Sequence, residues 1–235
     1  AEQIRLPSEK AAGNLSLAGA LPDPWPAAVD GETVLEEVCE VIRRYVALPA
    51  PAIDTIAVWV IHTYAVNAAT FTPYLWVSSP APQCGKSTLL DVLAHLVNRP
   101  YRTDGISPAA MFRMIERDEP TLLIDEIDAM LRTAGGDDLR GVLNSGFKRG
   151  GQFIRCVGEN FEPRPFATFS PKVLSGIGSL WPTVASRSVP VRMARATAAE
   201  RKRLGRLNGA AIAAEVHDCR RRLVRFAADA MPTLV

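Results

Sequence analysis

The segment that spans residues 79–88 has the composition of an anion-binding loop, with the sequence SPAPQCGKST. When such a loop opens into a helix, its backbone N–H groups and the positive end of the helix dipole face a bound anion. Gly85 allows the backbone to approach closely, Lys86 can reach outer phosphates, and the Ser87 hydroxyl can bind Mg²⁺. The residue types and their spacing therefore predict a site for a polyphosphate.

This loop differs from the usual pattern, GxxxxGK followed by Ser or Thr, at its first position, where Pro80 replaces glycine. A GKS triplet also occurs by chance on ordinary loops, where it binds nothing. The context favours the phosphate site, because the segment follows an apolar run and precedes a helical pattern. The predicted nucleotide contacts are Pro82, Gln83, Cys84, Gly85, Lys86, Ser87 and Thr88.

Two adjacent carboxylates, Asp125 and Glu126, follow the apolar run TLLI at residues 121–124. The run predicts a buried strand, and ligands bind at the carboxyl ends of strands in open α/β sheets. Asp125 would hold Mg²⁺ through water together with Ser87, and Glu126 would orient and polarise an attacking water. Because the pair lies about 40 residues after Lys86, the combination predicts catalysis of ATP hydrolysis with Mg²⁺.

From residue 74 onward the sequence alternates between short apolar runs and helical patterns. Helices are predicted at KSTLLDVLAHLVN, after the N-cap Ser107 with Pro108, and at DDLRGVLNSGF. Strands are predicted at YLWVSS, TLLID, GQFIRCV, PFATFS and SVPVRM, with a hairpin turn at residues 158–160 and an edge position for the run containing Pro190. The alternation predicts an α/β fold with a mostly parallel sheet of about five strands flanked by helices.

Four parts of the chain differ in composition. Residues 1–30 are rich in Ala, Pro and Gly, which predicts an extended arm. Residues 31–72 repeat apolar side chains at three- and four-residue spacing, which predicts an N-terminal segment of two antiparallel helices. Residues 73–195 would form the nucleotide-binding core, and residues 196–235 a C-terminal helical lid.

Composition and charge argue against several other classes of protein. The formal net charge of +2 favours neither binding nor exclusion of nucleic acid, and the arginines at 220–222 and 225 are typical of a solvated helix face. Four cysteines without CxxC spacing form neither a metal framework nor a disulfide scaffold, which fits a reducing cytoplasm. The longest apolar stretch is far shorter than the roughly 20 residues of a membrane helix, so we expect a cytoplasmic protein without a membrane partner.

Taken together, these motifs resemble the AAA+ branch of P-loop ATPases. Residues 31–196 are similar to a family of ATPase domains in primase- and helicase-like proteins of phages and integrated elements. The segments that carry the resemblance, in the same order, are SPAPQCGKSTLL, PTLLIDEID, LRGVLNSGFKRGG and FSPKVLSGIGSLWPTVASRSVPVRM. Proline at position 80 is typical of that family. The resemblance implies a P-loop NTPase fold of the AAA+ type.

The resemblance also implies roles for two residues outside the phosphate loop. Arg187 precedes the last predicted strand, where AAA+ proteins carry an arginine finger that reaches the γ-phosphate in a neighbouring subunit. A finger in trans requires a ring, for which we expect a hexamer. Ser170, at the end of the run PFATFS, is the candidate polar sensor beside the attacking water. The alternatives are a local salt bridge for Arg187 and a turn serine before Pro171 for Ser170.

Related helicases use a β-hairpin before the sensor strand to grip DNA in the channel of a ring. The corresponding residues here are 147–155 and the hairpin that follows them. The candidate contacts with single-stranded DNA are Lys148, Arg149, Arg155 and Arg164 for phosphates and Phe153 or Phe161 for bases. Glu159 and Glu162 in the turn would repel a phosphate backbone. An alternative role for Lys148 and Arg149 is to face a neighbouring subunit's nucleotide.

The favoured function is ATP hydrolysis by a helicase-like motor that acts on DNA in the replication of a phage or mobile element. A nucleotide-gated DNA- or protein-binding adaptor or loader would use the same residues without unwinding DNA. A kinase-like P-loop phosphotransferase is a further alternative. Against the phosphotransferase stand the acidic pair and the arginine before the last strand.

Overall fold

The computed structural model describes residues 21–131 and 135–234, so most of the predicted arm lies outside the described residues. The helices are α1 (Gly31–Tyr45), α2 (Ala50–Tyr64), α3 (Lys86–Leu96), α4 (Pro108–Asp118), α5 (Ile127–Leu131), α6 (Gly136–Ser145), α7 (Pro182–Ala185), α8 (Ala198–Arg203) and α9 (Gly209–Leu234). The strands are β1 (Tyr74–Ser79), β2 (Pro100–Thr103), β3 (Thr121–Ile124), β4 (Gln152–Val157), β5 (Glu162–Ala167), β6 (Lys172–Ile177) and β7 (Ser188–Arg192).

Five strands form one parallel sheet in the order β2-β3-β6-β1-β7. Because all five run in the same direction, their carboxyl ends share one edge, here called the carboxyl edge, and their amino ends share the opposite, amino edge. The predicted α/β fold with a parallel sheet flanked by helices is confirmed, as is the edge position of Pro190 in β7. Only β6 separates β1, which precedes the phosphate loop, from β3, which precedes the acidic pair.

The strands of the sheet differ in part from those predicted. The runs GQFIRCV and PFATFS form a separate antiparallel hairpin, β4 and β5, with the predicted turn between them. The sheet instead contains β2 and β6, whose sequences interrupt the apolar pattern with Arg102 and Lys172. Lys172 is fully buried, and its Nζ donates to the carbonyl oxygens of Thr168 and Ser170 at 3.0 and 2.9 Å. A lysine satisfied in this way can occupy a central strand.

Helices cover both faces of the sheet, and the side chains of β1 alternate between two apolar clusters. Leu75 and Val77 face a cluster formed with α1, α2, α3 and α9. Tyr74 and Trp76 face a second cluster, formed with α4, α6 and the hairpin. Because β1 is covered on both faces, its sequence is a continuous apolar run rather than an alternating one. The packing on both faces of β1 therefore holds the start of the loop between β1 and α3 in a fixed position.

Local sequence signals determine where the helices near the carboxyl edge begin. Gly85 is the N-cap of α3 and has a φ of 85°, a left-handed conformation that favours glycine. Ser107 is the N-cap of α4, as predicted, and its hydroxyl accepts from the N–H of Ala110 at 3.2 Å, while Pro108 occupies the first turn.

The hairpin formed by β4 and β5 rests on the body of the protein through one of its two faces. Phe153 and Phe166 pack against Phe112 of α4, with ring centroids 6.1 and 4.3 Å away. The opposite face, here called the outer face, is exposed and uncharged and consists of Gln152, Ile154, Cys156, Pro163, Pro165 and Ala167. The hairpin is therefore fixed at its inner face and open at its outer face.

The described part of the N-terminal arm lies against α9. The backbone N–H of Trp25 donates to the carbonyl of Arg221 at 3.0 Å, and its ring lies 5.1 and 4.2 Å from the guanidinium carbons of Arg221 and Arg222. Arg221 also donates to the carbonyl of Asp23, and Arg222 pairs with Glu37 of α1 at 2.8 Å. Part of the basic run in α9 is thus used in contacts within the chain.

Helix α9 packs against α1, α2 and α3, so the C-terminal region is joined to the N-terminal helices. The division of the chain at residues 30, 72 and 195 stays a prediction. In the part of the chain that the structure describes, no helix combines the length and the apolar character needed to cross a membrane.

Candidate functional site

The phosphate loop, residues 80–85, joins the carboxyl end of β1 to the first turn of α3. Gln83 and Gly85 both have positive φ values, 60° and 85°, so the chain turns sharply before the helix. The first N–H groups of a helix have no partner within the helix and can bind an anion. Lys86 is the first residue of α3, and its Nζ donates to Ser79 Oγ at 2.8 Å. The loop therefore presents a helix N-terminus and a lysine amine at the carboxyl edge.

The carboxylate of Asp125 lies at the carboxyl end of β3 and contacts the start of α3. Its Oδ2 accepts a hydrogen bond from Ser87 Oγ at 2.8 Å. Its Oδ1 accepts from Ser175 Oγ at 2.7 Å and from the backbone N–H of Glu126 at 3.0 Å. The structure thus brings together the two residues that the sequence assigns to a metal, although they are 38 positions apart in the chain.

Asp125 is held in its ionised form although it is buried. Burial by itself would raise the pKa of its carboxyl group, because a charge loses hydration inside a protein. The hydrogen bonds from Ser175, Ser87 and the Glu126 N–H, together with the charge of Arg102, outweigh burial and lower the pKa below its usual value. The ionised carboxylate is the form that binds a divalent cation.

Glu126 follows Asp125 and is exposed to solvent. Its φ of 50° lies in the left-handed region, which residues other than glycine rarely occupy and which is found more often at functional sites. Its carbonyl oxygen accepts from the N–H of Ala129 at 3.0 Å, at the start of α5. The second carboxylate of the pair is therefore at the carboxyl edge and accessible to water.

Two residues of this site, Ser175 and Arg102, are absent from the set predicted from the sequence. They lie near the carboxyl ends of β6 and β2, the two strands that the sequence pattern does not reveal. Ser175 is fully buried next to Asp125, and Arg102 Nη2 lies 3.4 Å from Asp125 Oδ2. The strand order is the signal that identifies them, because parallel neighbours of β1 and β3 end at the same edge.

A cavity of about 240 Å³ adjoins the phosphate loop. Its walls come from the end of α1 (residues 45–47), the loop itself, the segment after β7 (residues 193–196) and α8. Arg195 and Arg201 lie in these walls among apolar neighbours such as Met193 and Leu204. A concave space with apolar walls and a few charged groups, next to an anion-binding loop, fits the base and sugar of a nucleotide.

The oxygen donors at the carboxyl edge fit a Mg²⁺ ion that is held partly by a nucleotide. Among the residues that the structure describes, no group of three or more His, Cys, Asp or Glu side chains could hold a metal. Mg²⁺ commonly takes one or two protein oxygens and completes its shell with water and phosphate oxygens. The hydroxyl of Ser87 would supply a protein oxygen, and the carboxylate of Asp125, which accepts from that hydroxyl, would hold the ion through water.

Ser170 is not part of this site, and its predicted place beside the attacking water is wrong. It precedes β6 at the amino edge of the sheet, is buried, and donates its hydroxyl proton to the carbonyl of Pro120 before β3. The prediction fails because the run PFATFS belongs to the hairpin. The strand that reaches Asp125 is the next one, β6, which places Ser175 there.

Arg187 also lies at the amino edge, directly before β7. The partners described for its guanidinium are the carbonyl of Thr183 and the ring of Phe147, whose centre is 5.9 Å away. Together with Lys148, it lines an open cavity of about 610 Å³. Because the phosphate loop is at the opposite edge, the structure does not bring Arg187 and Lys86 together within one chain.

The four basic residues predicted to contact DNA do not form one surface. Arg155 pairs with Asp138 of α6, and Arg164 pairs with Glu116 of α4 at 2.8 Å. Both arginines belong to the inner face of the hairpin. Arg149 donates to backbone carbonyls that follow α2, at the amino edge of the sheet. These three guanidinium groups therefore already have partners within the chain.

The two aromatic residues predicted to stack on bases also differ in their surroundings. Phe153 is packed on Phe112, whereas Phe161 is 76% exposed at the hairpin turn. Lys148 lies with Arg187 at the amino-edge cavity rather than on the hairpin. The structure thus leaves Phe161 at the tip and Lys148 at the base of this region accessible to a partner.

Comparisons with known proteins show the fold. The sequence matches no protein-family model and no curated protein. The A-form apo structure of the NrS-1 C-terminal region matches with a TM-score of 0.50 and 11% identity, over 88% of this chain and 47% of that chain. A ligand-bound structure of JCV helicase matches with a TM-score of 0.44 and 14% identity, over 86% of this chain and 54% of that chain. A further JCV helicase structure has a TM-score of 0.41 and 15% identity, over 86% and 60%.

The chain spans about half of the length of these solved structures. At such low identity the similarity to the NrS-1 region concerns the arrangement of the parallel sheet and its flanking helices.

Proposed function

We propose that the carboxyl edge of the sheet binds ATP with Mg²⁺ and hydrolyses the ATP. The observation that carries this proposal is the 2.8 Å hydrogen bond between Ser87, at the start of α3, and Asp125, at the end of β3. This contact joins the two sequence motifs at one point. It places an ionised carboxylate and the Lys86 amine beside the same helix N-terminus.

Each residue of the site has a separate role in the transfer of the γ-phosphoryl group to water. The N–H groups at the start of α3 and the amine of Lys86 bind and orient the phosphate chain. Ser87 and Asp125 would hold Mg²⁺, which when bound neutralises charge on the phosphate oxygens. Glu126 orients a water molecule for attack on the γ-phosphorus and accepts hydrogen bonds from it. The products are ADP and inorganic phosphate.

Arg187 is assigned to the nucleotide of a neighbouring subunit. Its place at the amino edge keeps it away from the phosphate loop of its own chain. In a ring, for which we propose six subunits, the amino-edge cavity of one subunit would face the carboxyl edge of the next. Lys148 lines the same cavity, which supports its alternative role facing a neighbour's nucleotide. Both cations would then stabilise charge that develops during transfer.

For the biological activity we propose a helicase-like motor that acts on single-stranded DNA in the replication of a phage or mobile element. Support comes from the similarity of four ordered motifs to ATPase domains of primase- and helicase-like proteins. The exposed ring of Phe161 at the hairpin turn is suited to stacking on a base. In this proposal the hairpin contributes stacking, because Arg155 and Arg164 are engaged in ion pairs.

A nucleotide-gated adaptor or loader is the second candidate, and the hairpin favours it. The outer face of the hairpin is exposed and carries no charge. A surface that grips a phosphate backbone is normally basic, whereas an uncharged surface with apolar side chains such as Ile154 suits contact with a protein. An adaptor would turn ATP over slowly and independently of DNA.

The test compares the wild-type protein with Lys86→Ala in ATP binding and turnover. Turnover is measured at several protein concentrations, with and without single-stranded DNA. We expect Lys86→Ala to lose tight ATP binding, and wild-type turnover to rise with protein concentration and with DNA. Unchanged ATP affinity in the variant would refute the phosphate-loop assignment. Wild-type turnover that changes neither with protein concentration nor with DNA would favour the adaptor function.

A further inference from the structure

Arg102, at the carboxyl edge, is held by three carboxylates. Its Nε lies 2.8 Å from Asp91 Oδ1, its Nη1 3.0 Å from Asp104 Oδ1, and its Nη2 3.4 Å from Asp125 Oδ2. The side chain is 22% exposed, so these contacts are only partly screened by water. They come from α3, from the residue after β2, and from the end of β3. The guanidinium is therefore held by ion pairs with α3, with the end of β3 and with the residue that follows its own strand.

The position of Arg102 relative to the proposed metal site is specific. Its Nη2 faces Oδ2 of Asp125, the same oxygen that accepts the hydrogen bond from Ser87. The other oxygen of Asp125 is occupied by Ser175 and by a backbone N–H. A fixed cation therefore lies at the side of the carboxylate where Mg²⁺ would be held.

The effect of the Arg102 guanidinium on nucleotide binding depends on the other charges near Asp125. Asp91, Asp104 and Asp125 would together repel the phosphates of a nucleotide, which are themselves negative. Lys86 supplies one positive charge and Arg102 the second. Without a divalent cation, the guanidinium thus offsets part of the repulsion. With Mg²⁺ held by Ser87 and Asp125, the guanidinium would repel the metal, since both are cations.

We infer that Arg102 sets how strongly nucleotide binding depends on a divalent cation. The inference rests on the proposed nucleotide site and goes beyond it, because it assigns a separate residue to the coupling between metal and nucleotide. Coupling of this kind is reciprocal, so a residue that favours metal-free nucleotide also weakens metal binding to the complex. Arg102 acts through its positive charge beside Asp125 and is given no part in the chemical step.

The test is the ATP affinity of wild type and Arg102→Gln, measured once with EDTA and once with excess Mg²⁺. We expect Arg102→Gln to bind ATP roughly tenfold more weakly in EDTA, the scale of one partly screened charge interaction. With Mg²⁺ the loss should be small, because removing the guanidinium also strengthens metal binding. The ratio of the ATP affinity in Mg²⁺ to the ATP affinity in EDTA should therefore be higher for Arg102→Gln than for wild type. Arg102→Lys keeps the charge and should keep the wild-type ratio.

Arg117→Gln is the matched control, since it removes a positive charge from an arginine whose side chain is 76% exposed in α4. It should leave the ratio unchanged. An equal loss of affinity for Arg102→Gln in EDTA and in Mg²⁺ would overturn the inference and leave Arg102 a purely structural residue.

Asp104→Asn tests the inference without disturbing the core, because the Asp104 side chain is 72% exposed. Removing this carboxylate leaves Arg102 less neutralised, so the ratio should fall below that of wild type. An unchanged ratio would contradict the inference. Failure of the proposed function looks different: wild type and Lys86→Ala would then bind ATP equally poorly in both conditions, and both proposals would be overturned.

Discussion

The two oxygens of Asp125 have different neighbours, and this difference orients the carboxylate. Oδ1 accepts from the Ser175 hydroxyl and from the N–H of Glu126. These bonds hold the carboxylate against β6 and against the backbone of the next residue. Oδ2 faces Ser87 and Arg102. Hydrogen bonds to one oxygen of a ligating carboxylate commonly orient the other toward the metal. Residues from several elements thus prepare one carboxylate for the proposed metal site.

Ser175→Ala should raise the pKa of Asp125, because the substitution removes a hydrogen bond that favours the ionised form. It should also lower the free energy of unfolding by about 1–3 kcal/mol, since a buried acceptor loses its donor. The pKa is measured by NMR titration of the Asp125 carboxyl carbon, and the stability by urea denaturation. Ser186→Ala, at an exposed serine, is the control. A pKa for Asp125 that stays at its wild-type value would contradict this account.

The sequence suffices to identify some residues of the site and not others. Lys86 and Ser87 follow one local pattern and Asp125 another, and the structure places all three at the carboxyl edge, whereas their roles stay predictions. Ser175 and Arg102 reach Asp125 only because β6 and β2 are its neighbours in the sheet. That order depends on contacts between distant parts of the chain, which local patterns do not record.

The sequence pattern omits strands β2 and β6 and assigns the hairpin strands β4 and β5 to the sheet. Both errors have the same cause. A strand is recognised in a sequence by its apolar pattern, and both runs of the hairpin have such a pattern. β2 and β6 each carry a long basic side chain whose polar end has partners elsewhere: the Arg102 guanidinium has three carboxylates, and the Lys172 amine has two carbonyls. Tertiary contacts therefore override the local pattern in these two strands.

Lys172 predicts a specific dependence of stability on pH. Burial lowers its pKa to about 7, below the value of about 10.4 in an unfolded chain. Between these two values the unfolded state binds more protons than the folded state, so stability contributed by this group rises with pH. Relative to Lys172→Met, the wild-type free energy of unfolding should rise by up to about 2–3 kcal/mol from pH 7 to pH 9.

The measurement is urea denaturation of both proteins across this pH range, with Lys148→Met as the control at a lysine near the surface. Lys172→Met leaves the carbonyls of Thr168 and Ser170 without their donor, so its stability at a single pH is not informative. The difference between the two proteins in the slope of unfolding free energy against pH reports the titration of Lys172. Parallel curves for wild type and Lys172→Met would show that Lys172 is charged in the folded protein and would contradict the prediction.

At the scale of the whole molecule, the candidate nucleotide site and the candidate arginine finger lie at opposite edges of one sheet. The order of strands makes this separation necessary, because Arg187 precedes β7 and the phosphate loop follows β1, and the two strands are parallel neighbours. One chain therefore cannot complete the proposed site alone. Self-association is a requirement of the proposal rather than an addition to it.

Mixing two inactive variants tests this requirement. Lys86→Ala should lack nucleotide binding, and Arg187→Ala should bind nucleotide but lose turnover. In a randomly mixed ring, roughly a quarter of the sites would combine an intact phosphate loop with an intact neighbouring arginine. We therefore expect the mixture to recover turnover that neither variant has, measured as phosphate release. A mixture as inactive as its components, under conditions in which the subunits exchange, would rule out the trans role of Arg187.

Hydrolysis at the acidic pair is tested by comparing the ATP affinity and turnover of Glu126→Gln with those of wild type. The substitution keeps the size of the side chain and removes the carboxylate that the proposal gives to the attacking water. We expect wild-type ATP affinity in Mg²⁺ together with turnover reduced at least about a hundredfold, the scale of general acid–base and positioning effects. Normal turnover by Glu126→Gln would contradict the assignment of hydrolysis to the acidic pair at the carboxyl edge.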